Sequence, residues 1–89
     1  MPASRRGPST LRVQLFALFR EVSNGDHLVL SLILPASASD VLDAICRSNP
    51  AIGPYRNQAV LAVNRQVVDG EGTICEGDEV ALLPPVSGG

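Results

Sequence analysis

The chain has 89 residues, of which 45% are hydrophobic, and its seven arginines and nine carboxylates give a formal net charge of −2. A chain of this length forms one small domain that buries about 60% of its unfolded surface on folding. The acidic balance argues against a nucleic-acid-binding protein, because such proteins carry a basic stripe. Lysine is absent, so no side-chain amine of this chain can accept an isopeptide bond.

The few residues that could carry redox or metal chemistry are scattered. Cys46 and Cys75 are the only cysteines, and their separation fits neither a redox motif nor a metal site. We expect both to be small buried hydrophobic residues in a reducing compartment, which predicts a cytoplasmic protein. His27, the only histidine, is expected to have a structural or surface role. The longest aliphatic run, 28–34, is shorter than the ~20 residues that span a membrane, so we predict no metal site and no membrane association.

The first predicted strand covers residues 11–17. Apolar and polar residues alternate there, which is typical of a half-buried strand. Its inward residues are Leu11, Val13, Leu15 and Ala17. Phe16 falls on the opposite face, where a strand that faces water ordinarily carries a polar side chain. The residues before it, 1–10, are predicted to be a disordered tail, so the folded domain is expected to extend over 11–83.

A second strand is predicted at 27–34, and the turn signal at 23–26 joins it to the first strand as a hairpin. A helix is predicted to begin after Pro35, with Ser37 as its cap and Asp40 three residues later. The residues expected on its buried face are Ala38, Val41, Leu42 and Ile45.

The polar face and the end of this helix can also be predicted. Asp43 and Arg47, four residues apart, are expected to face water. The pair Asn49-Pro50 ends the helix, and the stretch that follows, up to Asn57, is interpreted as an irregular crossing loop.

The second half of the chain contains three short predicted strands. The third strand covers 59–64, with Leu61 and Val63 inward, and a tight turn leads to a fourth strand around 67–68. The final strand covers 79–83. Its inward residues are Val80 and Leu82, and Leu83 points outward.

This order of elements predicts the fold class. One helix among five strands in about 75 residues is typical of an α+β protein of the ubiquitin-like β-grasp type, in which a mixed sheet packs on one main helix. The pattern does not fix the order of the strands in the sheet.

The chain ends in Gly88-Gly89, behind the two prolines Pro84 and Pro85. Prolines cannot serve a central strand, so residues 84–89 are predicted to project as a stiff tail. Two glycines without Cβ atoms form a thin strip that fits a narrow tunnel, and the strip ends in a carboxylate that becomes reactive once ATP converts it to an acyl-adenylate. The alternative is a frayed end without function, since most chain ends are poorly ordered.

Three segments resemble one known family. The ending at 77–89 closely resembles that of the small subunits of molybdopterin synthase. The segment 13–21 is similar to the first strand and turn of that family, and 63–65 is similar to its middle strand. The resemblance covers 11–89.

The resemblance implies a sulfur carrier without a permanently bound cofactor. A ubiquitin-activating-enzyme-like adenylyltransferase would use ATP to adenylate Gly89, and a sulfur donor would convert the adenylate to a thiocarboxylate. The tail, thinned by Gly88, would then enter the large subunit of the synthase, where the sulfur passes to a cyclic pyranopterin phosphate. The chain itself would supply the reactive terminus and no catalytic side chain, because the tail carries no group suited to acid–base work.

An exposed apolar patch is predicted to dock the partner. Phe16, Val67 and Leu83 lie on outward faces, and such clusters usually mark a partner site. The alternative is that they pack against the tail or loops of the same chain. The tail residues predicted to contact the partner are Pro84, Pro85, Val86 and Ser87. Family members often carry aromatic residues where this chain has Leu82 and Leu83.

Three other functions stay open at this stage. A carrier of the same build could serve thiamine or cysteine synthesis, although the double proline argues against the thiamine type. The chain could instead be a ubiquitin-like protein modifier that forms isopeptide bonds. Finally, it could be an interaction module in which the two terminal glycines have no role.

Overall fold

The computed structural model describes residues 7–85. Within that range the β-strands are β1 (Ser9–Leu15), β2 (His27–Leu32), β3 (Ala36–Ser37), β4 (Val60–Val63), β5 (Gln66–Val68), β6 (Thr73–Ile74) and β7 (Val80–Leu83). The helices are α1 (Leu18–Ser23), α2 (Ala38–Ser48) and a 3-10 helix (Pro50–Gln58). The predictions for Val86, Ser87, Gly88 and Gly89 lie outside the described residues.

Five strands form one mixed sheet in the order β2-β1-β7-β4-β5. The central pair, β1 and β7, is parallel, and the other pairs are antiparallel. The predicted hairpin of the first two strands is confirmed, with Val13 opposite Leu28. Two short strands, β3 and β6, pair separately. The predicted β-grasp arrangement, a mixed five-stranded sheet with one main helix packed on it, is therefore confirmed.

The main helix begins where its cap predicts. The Ser37 hydroxyl oxygen accepts a hydrogen bond from the Asp40 backbone N–H at 3.0 Å, which satisfies one of the donors left unpaired at a helix start. Val41 and Ile45 are fully buried against the inner face of the sheet. The strand residues buried beneath them are Leu11, Val13, Leu15, Leu61, Val63, Val80 and Leu82. The alternation predicted for the strands thus fills the core.

The connection after β1 differs from the prediction. Ala17, expected as the last inward residue of the strand, has a left-handed φ of 51° and precedes α1. The strand ends at Leu15, whose N–H bonds to the Asp26 carbonyl at 2.9 Å and closes the hairpin. The helical turn then carries Phe19 into the core, where it is 0% exposed. The connection between the first two strands was predicted only as a turn at 23–26, and it contains in addition a short helix that buries a core residue.

The expected irregular loop after α2 is also a helix. Pro50 sits at the first position of the 3-10 helix, where its missing N–H costs nothing, and Ile52 is fully buried. This helix places Arg56 beside Asp43, and their side chains form an ion pair at 2.6 Å. The Asp43 side chain stays 46% exposed in that pair and Arg47 is exposed, so the prediction that both face water is confirmed.

The ends of the strands are shifted at the hairpin. Ser9 and Thr10, which were assigned to the tail, belong to β1 because they pair with Leu32 and Ser31. At the same open end of the hairpin, β2 stops at Leu32, two residues before the predicted end at Leu34.

Candidate partner-docking face

The outer face of the sheet, opposite α2, carries an unusual row of small and apolar residues. The strand pairings place Gln14 beside Ala81, Ala81 beside Ala62, and Ala62 beside Val67. Two residues along the strands from this row, on the same face, Leu83 lies opposite Val60. The Phe16 N–H bonds to the Leu82 carbonyl at 3.3 Å. Antiparallel sheets that face water usually carry polar residues on that side, so this row points to a covered surface.

The three residues predicted for the patch come together in one depression of about 280 Å³. Phe16 and Val67 are 41% and 66% exposed, and Leu83 is half-buried. We call this depression the Phe16 groove. Its lining residues are Gln14, Phe16, Ala62, Arg65, Val67, Glu79, Ala81 and Leu83. The structure thus brings the predicted residues side by side and, within residues 7–85, leaves Phe16 open to solvent.

The turn between β4 and β5 fixes one side of the groove. Asn64 and Arg65 have φ values of 52° and 70°, the combination that two-residue hairpin turns require. Asn64 tolerates this conformation well, and its side-chain oxygen accepts a hydrogen bond from the Glu79 N–H at 3.0 Å. On the rim, the Arg65 and Glu79 side chains lie 3.6 Å apart.

A second set of hydrogen bonds anchors the chain before β7. The Asp78 carboxylate accepts hydrogen bonds from the Cys75 backbone N–H at 2.8 Å and from the Asn64 side-chain amide at 3.1 Å. Both bonds favour the ionised form and lower the pKa of Asp78, the Cys75 bond more than the Asn64 bond. The start of β7 is therefore held to the β4–β5 turn, and the outer residues of β7 keep a fixed position in the groove.

The tail leaves the sheet at the edge of the Phe16 groove. Leu83 is the last residue of β7, and Pro84 follows it half-buried while Pro85 is exposed. The predicted reactive terminus lies four residues further on, outside the described range. The chain thus enters its last segment from a residue that lines the groove.

A polar depression of about 370 Å³ adjoins the groove and shares Phe16 with it. We call it the Arg12 pocket. Its lining residues are Arg12, Gln14, Leu15, Phe16, Arg20, Asp26 and His27. The sequence analysis did not predict it, although Arg12 and Gln14 alternate with the inward residues of β1. Predicting the pocket would have required the hairpin register, which places His27 opposite Gln14. It would also have required α1, which brings Arg20 to the same side.

The cysteines and the histidine occupy separate places. Cys46 is half-buried on α2, and burial raises the pKa of its thiol. Cys75 is exposed, so the expectation that it is buried is wrong; it follows β6 at a turn and not within an element of the core. His27 is exposed, and its Nδ1 lies 3.0 Å from an Asp26 carboxylate oxygen.

The described residues lack two further features. In residues 7–85, no group of three or more histidine, cysteine, aspartate or glutamate side chains is arranged to hold a metal ion. No helix in the same range is both long and apolar enough to cross a membrane.

Comparisons with known proteins identify relatives along nearly the whole chain. The molybdopterin synthase sulfur carrier subunit of Chlamydomonas reinhardtii is 33% identical over 81 residues, which cover 89% of this chain and 98% of that protein. The crystal structure of SAMP1 from Haloferax volcanii superposes with a TM-score of 0.77 at 27% identity, covering 91% of this chain and all of the other. A putative molybdopterin converting factor subunit 1 from Pyrococcus furiosus gives a TM-score of 0.75 at 25% identity, over 86% of this chain and 98% of the other.

A family model provides the broadest match. The model of the ThiS family aligns with residues 13–89, from the middle of β1 through the two terminal glycines. The chain belongs to the ThiS family.

Proposed function

We propose that this chain is the sulfur carrier subunit of a molybdopterin synthase, and that its terminal Gly89 carries the sulfur as a thiocarboxylate. The observation that carries the proposal is the position of Leu83, which ends β7 and lines the exposed Phe16 groove. The segment Pro84-Pro85-Val86-Ser87-Gly88-Gly89 follows Leu83 in the sequence. The relative from Chlamydomonas reinhardtii bears the name of such a carrier, which supports the same role here.

The chemistry takes place at one carbon atom. A Gly89 carboxylate oxygen attacks the α-phosphate of ATP, and pyrophosphate leaves. A donor that delivers sulfur at the oxidation level of sulfide then attacks the acyl carbon, the bond from that carbon to the phosphate-bound oxygen breaks, AMP leaves with the former carboxylate oxygen, and the product is a thiocarboxylate. On the large subunit, the sulfur passes to a cyclic pyranopterin phosphate, and water restores the carboxylate. The adenylyltransferase and the large subunit supply the catalytic side chains.

The Phe16 groove and the tail have different roles in sulfur transfer. Docking on the Phe16 groove holds the body of the carrier, and the tail reaches from there. The four residues after Pro85 span at most about 14 Å when extended. The reacting centre of each partner must therefore lie within about 14 Å of Pro85. Gly88 and Gly89 present no side chain to a tunnel of that depth.

The proposal is tested by altering only the end of the chain. Deleting Gly89, or adding one alanine after it, displaces the carboxylate from the adenylating site and should abolish sulfur transfer. The domain ends before this segment, so the midpoint of thermal unfolding should stay unchanged. The control is the same protein with an alanine added before Met1. Full transfer by a protein whose added C-terminal alanine is still present by intact mass would refute the proposal.

A protein modifier is the second candidate, because a similar protein from Methanosarcina acetivorans, 27% identical with a TM-score of 0.70, is named small archaeal modifier protein 1. Intact-mass spectrometry after incubation with an activating enzyme, ATP and a sulfur donor separates the two roles. Thiocarboxylation replaces one oxygen by sulfur, a gain of about 16 Da, whereas conjugation adds the mass of a second protein. A carrier for thiamine or cysteine synthesis would also gain this mass, but it would not support sulfur transfer with the large subunit.

A further inference from the structure

The Arg12 pocket concentrates positive charge on a chain that is acidic overall. Its lining includes two guanidinium groups, Arg12 and Arg20, and a single carboxylate, Asp26. The Asp26 carboxylate lies 3.0 Å from His27 Nδ1. That hydrogen bond, and more weakly the Arg20 charge, lower the pKa of Asp26. The local balance is therefore positive, against a net charge of −2 for the whole chain.

The two arginines have no partner of their own in the described range. Within residues 7–85, neither Arg12 nor Arg20 lies within 4.0 Å of a carboxylate oxygen. A second depression in the described residues lacks such an unpaired cation. It lies between α2 and β5, with a volume of about 560 Å³, and its cation, Arg56, is already paired with Asp43 at 2.6 Å. Within residues 7–85, the Arg12 pocket thus combines a concave shape with two arginines that no carboxylate neutralises.

The position of the pocket links it to docking. Phe16 lines both the Phe16 groove and the Arg12 pocket, and so does Gln14, which lies between them. A protein that covers the Phe16 groove must therefore contact the Arg12 pocket as well. Covering an arginine without giving it an anionic partner costs free energy, because the charge loses water and gains nothing in return. A carboxylate matches the guanidinium fork with two parallel hydrogen bonds.

We propose that the Arg12 pocket receives acidic side chains of the protein that docks on the Phe16 groove, so that Arg12 and Arg20 select partners with carboxylates next to an apolar docking surface. This inference rests on the proposed docking of the carrier to the large subunit. Charge pairs of this kind govern the rate of association and the choice of partner. The groove supplies the contact area, and the pocket determines which apolar surfaces are accepted.

The test compares charge removal inside and outside the pocket. The double variant R12Q/R20Q keeps the size and polarity of both side chains, and R47Q is the matched control, because Arg47 is exposed on α2, away from the outer face. Binding to the large subunit of the same organism is measured by titration calorimetry from about 0.05 to 0.5 M KCl, a range over which screening becomes strong. The double variant should bind roughly tenfold more weakly at low salt and show a flatter salt dependence. R47Q should match the original protein.

Two further measurements separate this inference from the function on which it rests. Phe16→Ala should weaken binding at every salt concentration, and sulfur transfer by R12Q/R20Q should recover when the large subunit is saturating. If Phe16→Ala weakens binding while R12Q/R20Q binds like the original protein, the groove is the docking site and the pocket has no part in it. If the double variant binds normally but loses a response to millimolar inorganic phosphate in NMR spectra, the pocket is a small-anion site and the inference is wrong. If neither change affects binding, the proposed docking face itself fails.

Discussion

The two faces of the central sheet carry apolar residues for different reasons. On the inner face, Val13 and Leu82 are completely buried beneath α2, and the fold accounts for them. On the outer face, Phe16 and Val67 are apolar but largely open to solvent, and nothing in residues 7–85 covers them. Apolar residues of the same strand can therefore serve two purposes, stabilising the core on one face and binding a partner on the other.

The largest expected effect is the loss in free energy of unfolding when a core residue is replaced. Phe19 is 0% exposed, and its replacement by alanine removes a ring from a packed core and leaves a cavity. We expect Phe19→Ala to lower the free energy of unfolding by about 3–5 kcal/mol, measured by urea unfolding followed by circular dichroism. The matched control is Phe16→Ala, three residues earlier on the outer side. Equal losses for the two variants would mean that Phe16 also belongs to the core.

The second prediction concerns binding instead of stability. Phe16→Ala should weaken binding to the large subunit by ~2 kcal/mol if Phe16 is a hot spot, with little change in the unfolding midpoint. Val29→Ala is the control, because Val29 is also apolar and 54% exposed but lies on β2, outside the Phe16 groove. Equal weakening by both variants would show that the binding surface extends over the whole outer face and is not centred on the groove.

The same two faces explain what the sequence could predict. The buried alternation in β1 and β7, the hairpin and the Ser37 cap depend on neighbours in sequence, so local patterns predicted them correctly. The placement of Phe16, Val67 and Leu83 on outward faces was predicted as well. Their meeting in one groove required the strand order, which depends on pairing between distant segments and cannot be read from alternation.

The features that the sequence analysis missed share a physical cause. The short helix α1 and the 3-10 helix each bury one large residue, Phe19 and Ile52, and segments this short carry too few repeats for a period to be recognised. The ion pair of Asp43 with Arg56 was not predicted, because Arg56 reaches Asp43 from another element. The Arg12 pocket was missed for the same reason, since its charges come from β1, α1 and the start of β2.

A smaller effect is expected at the start of α2. The Ser37 hydroxyl oxygen caps the Asp40 N–H, so Ser37→Ala should lower the free energy of unfolding by about 1 kcal/mol. Ser39→Ala is the control, because the contact of Ser39 with the loop before β6 is made by its backbone N–H to the Gly70 carbonyl, which alanine retains. Urea unfolding at neutral pH measures both. A loss as large for Ser39→Ala would show that the helix start depends on more than the cap.

The smallest expected effect is a pH dependence at Asp78. Its pKa is lowered in the folded protein by the hydrogen bond from the Cys75 N–H and then by that from Asn64. A lowered folded pKa means that the ionised carboxylate stabilises the fold above the unfolded-state value of about 3.9 and that this stabilisation is lost as the pH falls through the folded pKa. Asp78→Asn cannot ionise, so its deficit in unfolding free energy should be full at pH 7 and shrink as the pH drops below about 4.

Glu76→Gln is the control for this last prediction. Glu76 is an exposed carboxylate in the same turn, and its substitution removes the same charge without removing the two bonds that Asp78 accepts. Its unfolding free energy should follow that of the original protein from pH 7 to acid. A deficit of Asp78→Asn that persisted unchanged at low pH would assign the effect to the shape of the turn and not to the carboxylate charge. The tie between the β4–β5 turn and β7, which holds one side of the Phe16 groove, would then be independent of pH.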